Sequence, residues 1–214
     1  MVFMFCNPLK AGRGEETREK LLQAGAVLFG QRGFEGVSAR ELAAAAGTPV
    51  SAVTYHYSTM ETLYIAVIQQ MVAQMDERLA PEIRAIQGAL LAQTISPQAA
   101  IDRITEHLIQ EIVCCQDHPE WPMLIVREHL LPGPAYDLVY EHAMMRPHAL
   151  LCQLFALVQG AKPTDEAIEL AAFAHIGKII FFRIGVHTIK RRLEWSGLGQ
   201  AQFPSIAQAL AFKP

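Results

Sequence analysis

Residues 38–63, SARELAAAAGTPVSAVTYHYSTMETL, constrain the fold of this chain more than any other stretch. Ser38 stands three residues before Glu41, a Ser-x-x-Glu pattern in which side chains and backbone donors at a helix start satisfy one another. Alanines fill the later turns of the helix Ala39–Ala46, so a neighbouring helix can approach closely. Gly47 supplies a left-handed stop without a Cβ penalty. Thr48-Pro49 restarts a helix at once, with Thr48 as N-cap and Pro49 at the first helical position. A second Ser-x-x-Glu box, Ser58 to Glu61, ends that helix at Tyr57 and opens the next. A short helix pinned against an alanine-rich partner suits insertion of its N-terminal half into a DNA major groove.

Helical periodicity continues through the rest of the chain. Leu21, Leu22, Gly25, Leu28 and Phe29 share one buried face of a helix over 15–31, and Phe34 folds back on the core behind it. The helix opened at Ser58 continues past Pro81. Ser96-Pro97 caps a helix to about Gln116, His118-Pro119 starts another to about Leu131, and Pro132-Gly133-Pro134 breaks it. A longer helix spans about Ala135 to Val158, kinked at Pro147. Asp165 to Trp195 reads as one long, unusually apolar segment, followed by a short amphipathic piece over Pro204–Phe212. Strand and hairpin signals are missing. The expected fold is all-α. Residues 1–13 form a flexible arm, 14–60 a three-helix module with a helix-turn-helix, and 61–214 a larger helical effector-binding and dimerisation domain.

Composition narrows the function classes. The chain has 214 residues and is 51% hydrophobic, yet has no run of the roughly 18 apolar residues a membrane helix needs, and no membrane partner is expected. Its four cysteines, Cys6, Cys114, Cys115 and Cys152, form neither a CxxC zinc pattern nor a disulfide framework, which points to a reducing cytoplasm. Net charge is −3. In residues 13–63, Arg13, Arg18, Lys20, Arg32 and Arg40 face six glutamates, so the module is slightly acidic, against the habit of phosphate binders.

The stretches TREKLLQAGAVLFGQRGFEGVS, ARELAAAAG, TPVSAVTYHYS and METL resemble, in order and spacing, the TetR family of one-component bacterial transcriptional regulators. HLLPGPAYDLVYEHAMMRPH and GKIIFFRIGVHTIKRRLEW are similar to its subgroup of cephalosporin- and chloramphenicol-responsive efflux regulators. The resemblance implies double-stranded operator DNA, a small-molecule effector and a second copy of the chain as partners. Arg40 then matches a position that reaches a base edge. Val50, Ser51 and Thr54 match groove-facing positions. Thr48, Ala52, Tyr55 and His56 match residues at the phosphate backbone, with Ser38 and Pro49 beside them. Met60 stands where the family's usual lysine contacts a phosphate, and Lys10 and Arg13 are minor-groove candidates. Tyr57 reads as a core aromatic.

By the same resemblance, the apolar segment and its successor build a four-helix dimer interface through Gly177, Phe181, Phe182, Gly185, Ile189 and Leu193. The helices before it enclose an effector pocket with Cys114, Trp121, Met123, Arg127, His129, Tyr136, Met144, His148, Phe155 and Phe173 as candidates. Fewer than half of these are expected to line a cavity, the rest being ordinary core. Methionines and aromatics make an adaptable wall that suits a small apolar or aromatic ligand. The competing class is a helical metal- or ligand-binding protein without DNA binding. Its support is eight histidines, but the adjacent pairs Glu106-His107, Glu128-His129 and Glu141-His142 splay about 100° apart on a helix. No Glu-x-x-His, HExxH, GxSxG or phosphate-loop pattern occurs, so no catalytic residue, metal or cofactor is expected.

Overall fold

The computed structural model describes residues 12–114 and 118–211, without the Arg13 side chain. The expectations placed on Lys10, the Arg13 side chain, Cys6, Cys115 and Phe212 lie outside these residues. Among the described residues every regular element is helical. The chain divides into two compact units, Met1–Val67 and Ile68–Pro214.

In the first unit, α1 (Arg13–Arg32), α2 (Ala39–Ala45), α3 (Val50–Tyr57) and the start of α4 (Met60–Leu91) surround one small core. Leu21, Phe29, Leu42, Ala43, Val53 and Leu63 are among its fully buried members. Phe34 returns onto it, its ring 6.3 Å from Phe29 and 5.2 Å from Tyr64. The capping box at the start of α2 is complete: the Ser38 hydroxyl accepts from the Glu41 amide, and the Glu41 carboxylate accepts from the Ser38 amide at 3.0 Å. Gly47 ends the helix at φ +64°.

Two helix starts differ from the sequence expectation, each by one residue. Thr48 does not cap α3. Its amide bonds the Ala43 carbonyl at 2.9 Å and the Gly47 amide bonds Ala44, closing the end of α2 in a Schellman arrangement. The Thr48 hydroxyl turns to the same Ala43 carbonyl. Pro49 is therefore the N-cap of α3, in extended backbone, and not its first helical residue. Likewise Ser58 and Glu61 do not form the box that opens α4. Ser58 has φ 54°, which carries its side chain out of register, and Thr59 and Thr62 cap reciprocally instead, amide to hydroxyl at 3.1 and 3.2 Å.

In the second unit α4 continues through Pro81 to Leu91. α5 (Pro97–Ile109), capped by Ser96, widens into a π-helical turn at Gln110–Cys114. α6 (Trp121–Leu130) follows. The helix expected over 135–158 is continuous from Tyr136 to Gln159, with a π-helical turn Val139–Met144 between α7 (Tyr136–Leu138) and α8 (Met145–Gln159). Pro147 lies in the first turn of α8 and lacks the amide that would continue the ladder. The π-turn just before it takes up that mismatch. The expected segment 165–195 is interrupted: α9 (Glu166–Ile184) stops at Gly185 and α10 (Val186–Leu193) restarts. A Cβ at Gly185 would sit 2.8 Å from the Phe181 carbonyl oxygen, so the backbone folds back on that turn as only glycine allows. α11 (Phe203–Leu210) closes the unit.

Helices α5, α8 and α9 form the core, with Ile101, Ile104, Leu151, Phe155, Ala172 and Ile179 fully buried. A polar link joins α5 to α9 across it. Thr105 Oγ1 donates to the Ile101 carbonyl at 2.7 Å and so accepts from His175 Nε2 at 2.8 Å. Burial, and then the nearby Lys178 charge, lower the His175 pKa to about 4, keeping the ring neutral.

Candidate functional site

α3 has a buried side and an exposed face. Val53 and Tyr57 are buried, while Val50, Ser51, Thr54 and Tyr55 are exposed, Tyr55 by 84%. Val50 and Tyr55 are the large apolar members of the exposed face. Ala52 and His56 lie at its margin, half-buried, with the Tyr55 ring edge-on to His56 at 5.0 Å. The Thr54 hydroxyl donates back to the Ser51 carbonyl at 3.1 Å, which leaves its oxygen as an acceptor. Pro49 is exposed at the helix start and Met60 is half-buried. Tyr57, read as core, is 7% exposed, and its buried hydroxyl lacks a partner among the described residues.

The cations of this unit are unevenly free. Arg18 pairs with Glu15, Lys20 with Glu16 at 2.7 Å, and Arg32 with Glu41 at 2.7 Å. Ser38, through its side chain and then its amide, together with Arg32 lowers the Glu41 pKa to about 2. Arg40, exposed on α2, has no ion pair among the described residues. The Ser38 hydroxyl proton goes to Glu41 Oε2 at 2.7 Å, so Ser38 has no donor left for a phosphate.

The second unit contains a cavity of about 70 Å³, room for a few water-sized groups. Its apolar wall includes Leu79, Ile112, Ile125, Met144 and Ile176. Of the ten pocket candidates, Trp121 and Met144 line it. The other eight sit elsewhere. Cys114 is buried with Sγ 3.6 Å from the Gly199 carbonyl. Met123 and Arg127 are half-buried on α6, and the His129 ring bonds the Ile125 carbonyl at 2.8 Å. Tyr136 stacks near Tyr140. His148 is buried against Phe173, whose ring lies 3.9 Å away, and Phe155 is in the core. Sequence inspection missed Met75, Arg78, His107, Glu111, His118 and His142, all on the wall. The signal for two of them was present: His107 and Glu111 are four apart on one helical run, hence on one face. Arg78 pairs with Glu111 at 3.2 Å, and its guanidinium lies 5.6 Å from the Trp121 ring centre.

The six interface candidates divide by exposure. Gly177, Phe181 and Leu193 are exposed, while Phe182, Gly185 and Ile189 are half-buried. Leu170, Phe173, Gly177, Phe181 and Ile184 repeat at helical spacing along one open face of α9.

Residues 97–211 match the family described as the C-terminal domain of the HTH-type transcriptional dual regulator CecR, and 21–67 match that described as bacterial regulatory proteins, tetR family. CecR of Shigella flexneri is 30% identical over 207 residues, 95% of this chain and 92% of that protein. This chain belongs to the TetR family. The HTH-type transcriptional regulator RutR of Escherichia coli K12 is 28% identical over 152 residues, 71% of this chain and 65% of that protein. Two solved structures share the TetR-family fold at 19% identity each. AibR, in complex with isovaleryl coenzyme A and operator DNA, has a TM-score of 0.66 and covers 91% of this chain and 96% of its own. HlyIIR, a hemolysin II transcriptional regulator, has a TM-score of 0.63 and covers 94% and 99%. For this TetR-family regulator, no helix among the described residues is long and apolar enough to cross a membrane. Nor does any group of three His, Cys, Asp or Glu side chains among them suit a metal ion.

Proposed function

We propose that this chain is a cytoplasmic, homodimeric repressor, without enzymatic activity, that a small apolar or aromatic molecule releases from its operator. The observation that carries the DNA reading is the open face of α3, with Val50, Ser51, Thr54 and Tyr55 outward on a helix anchored by Val53 and Tyr57. Arg40 adds the uncommitted guanidinium, suited to a bidentate guanine contact worth about 1–3 kcal/mol of discrimination. Tyr55, His56, Ala52 and Thr48 flank the backbone contacts. Val50 offers only apolar contact, best placed against a thymine methyl. The apolar stripe of α9 supports a dimer, since one short helix reads too few bases alone. Two copies would read half-sites about 34–36 Å apart.

AibR's complex with both isovaleryl coenzyme A and operator DNA supports one fold serving both partners. The cavity is the effector site in this reading. A ligand shifts the DNA equilibrium only through differential affinity for two conformations. α4, which supplies residues to both units, is the element through which such a preference acts.

A mobility shift with DNA from beside the protein's own gene tests the proposal. Arg40→Ala weakens binding chiefly at one base position, and His56→Ala weakens all sequences alike. Met60→Lys tightens binding at moderate salt by restoring a phosphate contact. A specific complex that neither alanine substitution alters would overturn the contact assignment.

A further inference from the structure

The cavity wall carries five ionisable side chains, and four already have partners. Arg78 and Glu111 pair with each other at 3.2 Å. His142 Nδ1 lies 3.2 Å from Asp76 Oδ2, and that carboxylate also meets Arg146 at 2.8 Å. His118 lies flat on Trp121, ring centres 3.9 Å apart, with Glu120 at 3.7 Å. His107 is the exception: its Nε2 is buried and has no hydrogen-bond partner among the described residues. A buried polar atom without a partner costs stability unless a ligand or water completes it.

The geometry points to an effector that is uncharged and largely apolar, with a single hydroxyl-type group hydrogen-bonded to His107 Nε2. This rests on the cavity being the effector site. Charge is excluded by pairing. An anion would have to take Arg78 from Glu111, and a cation would meet carboxylates already paired with Arg78 and Arg146. A hydroxyl fits because an imidazole nitrogen donates or accepts according to tautomer, and a hydroxyl can answer either. The remaining wall, including Met75, Leu79, Ile112 and Ile180, offers only apolar contact.

Carbon-13 methyl spectra of methionine in the whole 214-residue chain provide the test, since Met75 and Met144 both line the cavity. The probes are p-cresol, toluene and p-toluate, similar in shape and differing in one group. The expected result is that p-cresol shifts both methyl signals and binds about fivefold tighter than toluene, with p-toluate weakest. In His107→Leu the order of p-cresol and toluene inverts, because the hydroxyl then leaves water for no partner. His107→Gln keeps the original order, and His107→Phe serves as the apolar replacement if the leucine variant does not fold. An unchanged preference in the apolar variant, or tightest binding of p-toluate, overturns the proposal. If no probe moves either methyl in the unmodified protein, the cavity is not an effector site and the underlying reading fails as well.

Discussion

The outward face of α3 and the cavity of the second unit are assembled in opposite ways. α3 is eight residues long, and its ends are set by near neighbours in sequence: the Schellman turn of α2 before it, Ser58 and the Thr59–Thr62 box after it. Its exposed side chains carry almost none of the fold. The cavity draws wall residues from α4, α5, α6, α8 and α9, and its polar links span 33 residues from Arg78 to Glu111 and 66 from Asp76 to His142. Recognition chemistry on α3 can change without touching stability. In the second unit, binding chemistry and packing share the same side chains.

The hardest attempt to break this contrast is Phe155→Ala. The ring is fully buried, and its removal is expected to lower unfolding free energy by about 3–5 kcal/mol in chemical denaturation. A loss under 1 kcal/mol would mean that the second core is loosely packed. Acid comes next. His175 titrates near 4 in the folded protein against about 6.5 when unfolded. The unfolded chain binds the extra proton first, so stability falls as pH drops from about 6.5 to about 4, by up to about 3 kcal/mol, and this contribution is flat below that. Denaturant midpoints across this range check it, and His175→Gln should flatten the slope.

A smaller effect sharpens the local side of the comparison. Ser38→Ala removes half of the capping box and should cost about 1 kcal/mol, read from thermal unfolding. Smallest of all is Tyr55→Ala. With its ring 84% exposed, it should leave stability within about 0.5 kcal/mol while weakening DNA binding. A large stability loss there would erase the distinction between the two regions.

What was legible follows the same division. Helix order, the α2 capping box, the buried face of α1 and the outward residues of α3 are readable because propensity, caps and 3.6-residue periodicity act over a few residues. Where two neighbours can serve one local purpose, the sequence is ambiguous by one position. Thr48 and Pro49 both suit the start of α3, and Ser58 and Thr59 both carry a capping hydroxyl, so the choice fell to backbone geometry.

Only the tertiary structure decided which side chains wall the cavity. The break at Gly185 is itself local, since the atoms its Cβ would meet belong to Phe181, four residues before it. Phe155 and His107 each lie on amphipathic helices, and no pattern in the chain tells a ring packed in the core from one that lines a cavity. That distinction depends on distant helices meeting with a gap between them, and a gap is a property of packing, which no run of residues encodes alone.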